Sequence, residues 1–209
     1  MELKQELKNA LIELRKGKER KFNQTVELIV NLQKFNIKKE NINVVVTVPH
    51  KIKEKKIAAF LETKNSEVDT ITENEFKNYK DKKEIKKLVD KYDFFISQAK
   101  LMPKVATTFG KVLGPVGKMP SPQLGIVMQN EDKTIENLKD KINKSIKIRT
   151  KEASIKLAVA KQSMKDEDIL ENIMIIYNTL LKNLPREKEN IKNIEIKFTM
   201  TKPVKIKLR

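Results

Sequence analysis

The protein's 209 residues are enough for one large domain or two small ones, and a hydrophobic content of 39% is adequate for packed cores. Its 45 Lys and Arg residues against 28 Asp and Glu residues give a formal net charge of +17, which points to a polyanionic partner. The absence of Trp and an aromatic content of 5% argue against a membrane surface and favour nucleic acid. No Cys and a single His exclude disulfides, thiolate metal sites and most His-based metal clusters.

The chain also lacks the signals that would direct it to a membrane. No stretch of the sequence approaches the ~20 apolar residues of a transmembrane span, and its first residues, MELKQELKN, lack the apolar core of a secretory signal. We therefore expect a cytosolic protein without membrane contact. The alternative explanation of the charge is a solvated Lys-rich surface, of the kind found in an AT-rich or heat-adapted proteome.

The first fifty residues predict one helix and two strands. Apolar residues at helical spacing over residues 1–14 predict an amphipathic helix, which Gly17 closes. Alternating apolar residues over 26–32 predict a half-buried strand, and the β-branched segment 42–48 predicts a second one. Together these elements begin an α/β layer.

From about residue 51 the pattern changes to alternating strands and helices. Residues 56–62 predict a short strand, 73–92 a Lys-rich helical region and 93–97 another short strand, which suggests βαβ units. The segment 110–122, GKVLGPVGKMPSP, holds three of the five glycines and three of the seven prolines. That concentration predicts an ordered functional loop or a domain edge.

The last third of the chain predicts a helix at 134–143, strands at 145–149 and 154–160, and a long helix at 166–184. Alternating apolar residues at 191–198 and 204–208, separated by a turn at 200–203, predict a terminal β-hairpin with exposed lysines.

The motifs of nucleotide-binding and catalytic sites are absent. A phosphate-binding loop ending at Gly117 and Lys118 would need Gly in place of Val112 and Ser or Thr in place of Met119. The dinucleotide pattern fails as well, since Pro115 interrupts the glycines. His50 has no Cys or elbow Ser as a partner and is better explained as a loop histidine. We predict no catalytic residue, no metal and no cofactor.

Two basic segments lie beside predicted strands. Residues 15–21, RKGKERK, directly precede Phe22 and the first strand, and lysines from Lys192 onward flank the turn at Thr199 and Met200. A base or sugar could pack on Phe22 beside phosphate contacts. Each segment alone could serve only solubility, but two of them in a chain of this charge favour RNA binding.

Four segments of the sequence resemble one known family. They are 21–28 (KFNQTVEL), 48–50 (VPH), 110–122 (GKVLGPVGKMPSP) and 198–206 (FTMTKPVKI), and the resemblance spans nearly the whole chain. The chain is similar to the ribosomal protein L1 family, which anchors the lateral stalk of the large subunit, in its archaeal form. The glycine-proline segment is the most specific of the four.

The resemblance implies an α/β fold of two domains. A split β-α-β domain would be built from both chain ends, residues 1–53 and 145–209, and a Rossmann-like domain, 54–144, would be inserted between them. Two crossing strands at one hinge would allow the domains to open and close.

The resemblance also implies the site. The first domain would bind rRNA through Lys21, Phe22, Thr25, Glu27, Asn193, Thr199, Met200, Thr201 and Lys202. The second domain would carry a functional loop with Lys111, Gly114, Pro115, Gly117 and Lys118. Three positions depart from the family's usual residues, because Thr201 replaces Gly, Val116 replaces Arg and Asn193 replaces Ser. A Thr does not let an RNA backbone approach as closely as Gly does.

By resemblance, the protein would be a structural, non-enzymatic part of the large (50S) ribosomal subunit and monomeric when free. It would bind the stalk helix of rRNA, move with the deacylated tRNA that leaves the exit site, and repress translation of its own mRNA. The alternative is a regulator that binds mRNA and not the ribosome. An RNA-modifying enzyme is disfavoured by the single His and the absent cofactor motif.

Overall fold

The computed structural model describes residues 2–18, 20–37, 39–79, 81–128 and 132–206. Its helices are α1 (Glu2–Arg15), α2 (Lys82–Lys91), α3 (Met102–Val116), α4 (Asp132–Asn143) and α5 (Asp166–Asn183). Its strands are β1 (Thr25–Leu32), β2 (Asn43–Thr47), β3 (Ile57–Phe60), β4 (Asp69–Ile71), β5 (Phe94–Gln98), β6 (Ile126–Val127), β7 (Ser145–Arg149), β8 (Ser154–Lys161), β9 (Ile191–Phe198) and β10 (Val204–Ile206). Short 3-10 turns cover Glu73–Asn78, Ala99–Leu101 and Glu187–Asn190. The predicted α/β class is confirmed.

The residues group into two compact units. The outer unit consists of Met1–Lys53 and Lys144–Arg209, and the inserted unit consists of Glu54–Asn143. The resemblance implies one domain of residues 1–53 with 145–209 and an inserted domain of residues 54–144, and this division into domains stays a prediction.

An antiparallel sheet in the order β10-β9-β1-β8 forms the centre of the outer unit. Along β1, Val26, Leu28, Val30 and Leu32 are buried, while the alternate residues stay partly exposed. Helices α1 and α5 contact the strands of this sheet and each other. Because side chains alternate along a strand, one face of the sheet joins the core under the helices and the other stays open.

A two-stranded antiparallel ribbon of β2 and β7 completes the outer unit. Thr47 pairs with Ser145, and just beyond them the N–H of Val48 donates to the carbonyl of Lys144 at 2.7 Å. The two stretches of chain that lead to the inserted unit therefore leave the outer unit side by side.

The inserted unit contains a parallel sheet in the order β4-β3-β5-β6. Phe60 of β3 and Phe95 of β5 stack at 5.7 Å between ring centroids, and Phe109 of α3 lies 4.9 Å from Phe60. Burying each such side chain stabilises the unit by about 1.5–3 kcal/mol. The predicted βαβ pattern is confirmed, since β3 and β5 are parallel and α2 lies between them in the chain.

The predicted loop at 110–116 is wrong, because these residues belong to α3. Lys111, Gly114 and Pro115 all lie in this helix, which is held by Phe109 and by two further fully buried residues on the same side, Val105 and Leu113. Pro115 stands in the last turn, so its missing N–H removes a single backbone bond close to the helix end.

Gly117 ends α3 in the left-handed conformation, with φ of 78°, and its N–H donates to the carbonyl of Gly114 at 2.9 Å. The N–H of Lys118 then donates to Leu113. This is the ordinary glycine ending of a helix, so at Gly117 the glycine is required by the backbone.

The predicted terminal hairpin is confirmed for β9 and β10, which pair antiparallel with Val204 opposite Ile196. The predicted strand residue Leu208 lies outside the described residues. Among the described helices, none combines the length and the apolar composition that crossing a membrane requires.

Candidate nucleic-acid interface

The open face of the outer sheet carries three of the polar side chains that the sequence singles out, Thr25, Glu27 and Asn193. Thr25 of β1 lies opposite Lys161 of β8, and Glu27 of β1 lies opposite Lys197 of β9. We define the open face by the outward residues of the four strands: Thr25, Glu27, Ile29, Asn31, Ser154, Lys156, Ala158, Lys161, Asn193, Glu195, Lys197 and Lys205.

Side chains on this face are paired across the strands. Lys161 Nζ donates to Thr25 Oγ1 at 2.9 Å. Lys197 Nζ lies 3.9 Å from Glu27 Oε2, and both side chains keep partial exposure. An exposed pair of this kind adds little stability, so its ammonium and carboxylate groups remain available to a ligand.

The turn after β9 is tied to the start of β1. The N–H of Thr25 donates to Thr199 Oγ1 at 3.0 Å, and the N–H of Thr199 donates to the carbonyl of Thr25 at 3.1 Å. We call this pair of bonds the threonine clasp. It brings together two motifs that lie 174 residues apart in the chain.

A buried amide supports the same turn. Gln24 is only 1% exposed, its Oε1 accepts the N–H of Met200 at 3.0 Å, and its Nε2 donates to Gln162 Oε1 at 3.2 Å. Gln24 thus links the start of β1, the end of β8 and the turn. Sequence reasoning missed both Gln24 and Lys161. Gln24 lies inside the matched segment 21–28, which is a signal, whereas Lys161 lies outside all four matched segments. The partners of both residues are distant in the sequence.

Thr201 stabilises the turn from within. Its Oγ1 accepts the N–H of Phe198 at 2.9 Å and lies 3.2 Å from the Phe198 carbonyl, to which the hydroxyl donates. Thr201 is not among the described residues with a positive φ, so the backbone does not require the Gly that the family usually has here.

Two large apolar side chains remain exposed at this end of the sheet. Phe22 is 51% exposed and Met200 is 57% exposed. Phe22 lies two residues before Gln24 in the chain, and the N–H of Met200 donates to the Gln24 side chain. The neighbouring Lys21 and Lys202 are exposed as well. Apolar groups beside ammonium groups suit a nucleotide, whose sugar or base packs while its phosphate is neutralised.

Asn193 does not join this cluster. It lies on β9 opposite Asn31 and accepts a hydrogen bond from Asn31 Nδ2 at 2.6 Å. Four residues of strand separate it from Lys197, which corresponds to about 13 Å. If Asn193 binds RNA, it contacts a different nucleotide from the one at the turn.

Arg15 has a structural role in place of the expected phosphate contact. Its guanidinium donates to Asp166 Oδ1 at 2.8 Å and to the carbonyls of Gln162 and Met164 at 3.1 and 3.0 Å. It therefore fixes the end of α1 to the start of α5. In the rest of the basic segment, the described side chains of Lys16, Lys18, Arg20 and Lys21 are exposed.

In the inserted unit the predicted site residues divide by role. Lys111, Gly114 and Pro115 are exposed at the end of α3, where Val116 is 50% exposed. Lys118 instead donates its Nζ to the carbonyls of Val89 and Tyr92 at 2.6 and 2.8 Å, which caps the end of α2. These residues do not form a single functional loop.

His50 pins the segment after β2 to α5. Its Nε2 lies 2.9 Å from Glu171 Oε2, and its backbone N–H donates to Asn172 Oδ1 at 3.2 Å. Asn172 is fully buried and also donates to the carbonyls of His50 and Val159. These contacts agree with a structural histidine at a strand end.

Comparison with known proteins agrees with the geometry. The model of the ribosomal protein L1p/L10e family matches residues 14–202. The "Large ribosomal subunit protein uL1" of Pyrobaculum islandicum is 39% identical over 202 residues, which cover 91% of this chain and 88% of that protein. The proteins of the same name from Pyrococcus abyssi and Nanoarchaeum equitans are 34% and 31% identical, and the matches cover 92% of this chain in each case and 90% and 95% of the relatives. Members of this family are structural ribosomal proteins and not enzymes. The chain therefore belongs to the ribosomal protein L1p/L10e family.

Proposed function

We propose that this protein is a structural constituent of the large ribosomal subunit and that it binds a folded segment of rRNA through the open face and the turn after β9. The threonine clasp is the observation that carries the proposal. It joins the two matched segments that hold Phe22, Thr25, Thr199 and Met200, although they lie at opposite ends of the chain.

The arrangement suits RNA that is recognised by shape. Hydroxyl, carboxylate and ammonium groups stand at fixed positions on a rigid sheet, and the exposed Phe22 and Met200 lie at its end. Sequence-specific binding to RNA uses stacking and 2′-hydroxyl contacts that only a folded RNA presents together. The exposed lysines add affinity through counterion release, which does not depend on sequence.

Two further roles are part of the proposal. The protein moves with the stalk while deacylated tRNA leaves the exit site, and it represses its own mRNA when that mRNA forms a copy of the rRNA shape. Because a single open face would serve rRNA and mRNA, the two RNAs compete for it. The protein is monomeric when free.

Crosslinking of the protein to total RNA in cells, followed by sequencing, tests the proposal. We expect one segment of large-subunit rRNA to dominate and the protein to sediment with large subunits at moderate salt. Recovery of mRNA alone, with no sedimentation on large subunits, would instead establish a free-standing translational regulator.

A matched pair of variants connects the crosslinks to the open face. Lys197→Gln removes a charge beside Glu27, and Lys182→Gln removes a charge on α5, away from the sheet. The first should weaken crosslinking to the dominant rRNA segment and the second should not. Equal effects would place the binding surface elsewhere.

A further inference from the structure

Lys161 donates a hydrogen bond to the Thr25 hydroxyl, whose own hydrogen has no acceptor among the residues that the structure describes. Thr25 Oγ1 receives the Lys161 Nζ hydrogen bond at 2.9 Å. The nearby Thr199 Oγ1 receives the Thr25 N–H and so acts as an acceptor toward the backbone. Within the described part of the chain, no acceptor takes the hydrogen of the Thr25 hydroxyl.

The ammonium group decides which way that hydroxyl points. A hydroxyl oxygen holds one hydrogen and two lone pairs. With a cation on one lone pair, the hydrogen turns away from Lys161, and the remaining lone pair becomes a poor acceptor because a positive charge lies next to it. Thr25 is thus set as a donor toward the open face.

We propose that Lys161 is a specificity-determining residue that makes the Thr25 position select a hydrogen-bond acceptor on the RNA, such as a phosphate, 2′ or carbonyl oxygen. The proposal rests on the proposed function. Thr25 and the remaining N–H groups of Lys161 donate together, so a group on the RNA that can only donate is rejected at this point.

Glu27, the next outward residue of β1 after Thr25, selects a hydrogen-bond donor on the RNA and not an acceptor. Its carboxylate only accepts, and its outward position lies about 7 Å from that of Thr25 along the strand. The strand therefore presents a donor and then an acceptor. An RNA that fits presents an acceptor and then a donor at the same spacing, for example an oxygen atom and an amino or 2′-hydroxyl group.

A double-mutant cycle tests the assignment of Lys161. The probe is the rRNA segment recovered by crosslinking, with a scrambled RNA of equal length for comparison. Four proteins are compared at fixed salt: wild type, Lys161→Met, Thr25→Val and the double variant. Lys156→Met is the matched control, since Lys156 lies on the same strand and the same face but pairs with Ile29. Circular dichroism and the thermal midpoint check that each variant folds.

Thr25→Val should weaken binding of the cognate RNA by roughly 2- to 12-fold, the range of one net hydrogen bond. Lys161→Met should weaken it more than Lys156→Met does. In the Thr25→Val background the two lysine variants should weaken binding equally, because no hydroxyl is left for Lys161 to orient. Thr25→Ser, which keeps the hydroxyl, should preserve both the affinity and the excess.

Two results would overturn the inference in different ways. In the first, the wild type prefers the recovered RNA over the scrambled one, but Lys161→Met lowers the affinity for the recovered RNA by the same factor in the wild-type and Thr25→Val backgrounds. Lys161 then acts only through its charge. In the second, the wild type shows no preference between the two RNAs. The proposed function is then wrong, and so is the specificity role of Lys161 that rests on it.

Discussion

The Thr199 hydroxyl supplies a hydrogen-bond acceptor for the first backbone N–H of β1. Its oxygen accepts the N–H of Thr25, which would otherwise turn to water at the end of the strand. Lysines on the same hairpin, such as Lys205, have no such bond to the backbone among those described and extend from the open face. We therefore expect the two residue types to contribute to the proposed RNA binding by different means.

We expect Thr199→Val to weaken the cognate RNA while leaving scrambled RNA and the salt dependence nearly unchanged. Because the variant loses the bond from the Thr25 N–H to the Thr199 hydroxyl and keeps the backbone bond of the clasp, its free energy of unfolding should also fall by about 0.5–1.5 kcal/mol. Lys205→Ala should weaken both RNAs and reduce the slope of log affinity against log salt by roughly 0.7–0.9 if it contacts a phosphate.

Binding isotherms on both RNAs across several salt concentrations separate the two effects. Thr179→Val is the control, because the Thr179 hydroxyl donates within α5 to the carbonyl of Ile175. If Thr199→Val lowers the affinity for both RNAs equally and changes the salt slope, the hairpin binds RNA only as a basic surface.

Tyr92 of the inserted unit should hold its proton at high pH. Burial raises the pKa of Tyr92 above its ordinary value of 10.0, and the hydrogen bond that its hydroxyl donates to Asp69 at 2.6 Å raises it further, against the opposing effect of Lys91. Because the folded pKa is raised, Tyr92 contributes stability below pH 10 that is lost as the pH rises through the folded pKa.

The tyrosinate absorbance of wild type minus that of Tyr92→Phe should titrate with a midpoint above pH 10, and the variant should lose less stability than the wild type in strong alkali. Tyr177→Phe is a useful comparison, since burial raises the pKa of Tyr177 in the outer unit. A difference curve centred at or below 10.0 would contradict the buried hydrogen bond.

At the scale of elements, the sequence predicts those whose apolar pattern is long and regular. The helices α1 and α5 and the strands β1, β8 and β9 follow their periodicity closely. The strands β4 and β6 have no such pattern, because they span three and two residues and are held by their parallel neighbours. Their existence depends on tertiary pairing that a local pattern does not contain.

Helix α3 shows how local and distant effects compete. Glycine and proline within 110–116 favour a loop by their intrinsic preference, but the apolar stripe ending at Leu113 is buried against the sheet and outweighs it. The resemblance supplied Thr25 and Thr199 of the site. Neither it nor the pattern supplied the bond from Lys161 to Thr25, whose partners lie 136 residues apart.

Two glycine substitutions distinguish the helix from the predicted loop. Gly114→Ala should stabilise the inserted unit by about 0.5–1 kcal/mol, since an added Cβ meets nothing within 4 Å and Ala is the better helix former. Gly117→Ala should destabilise it, because φ is 78° there. Urea unfolding of both variants is the measurement, and a loss of stability for Gly114→Ala would favour a loop.

At the scale of the whole molecule, the candidate RNA-binding residues and the sheet that carries them belong to the outer unit. Val48 and Lys144 are joined by a backbone hydrogen bond of 2.7 Å, so the chain on either side of the inserted unit can be connected over a short distance. Both candidate binding motifs lie outside Glu54–Asn143.

We therefore expect that removing residues 54–143 and joining the ends with a short linker leaves a folded protein that binds its rRNA segment. Circular dichroism checks the fold and filter binding checks the affinity for cognate and scrambled RNA. A variant that folds but loses all preference for the cognate RNA would show that the inserted unit is part of the site.

The sheet order β10-β9-β1-β8 also determines at which point of synthesis the candidate RNA-binding sheet can form. Strand β1 emerges from the ribosome early, but both of its neighbours, β8 and β9, are made more than a hundred residues later. The inserted unit, whose strands are closer together in the chain, is complete before them. A chain ending at residue 190 should thus contain a protease-resistant inserted unit and yet show no preference for the cognate RNA over a scrambled one. If the proposed surface binds rRNA, nascent and broken chains should not compete with finished protein for assembly, because the threonine clasp forms only after Thr199 has been synthesised.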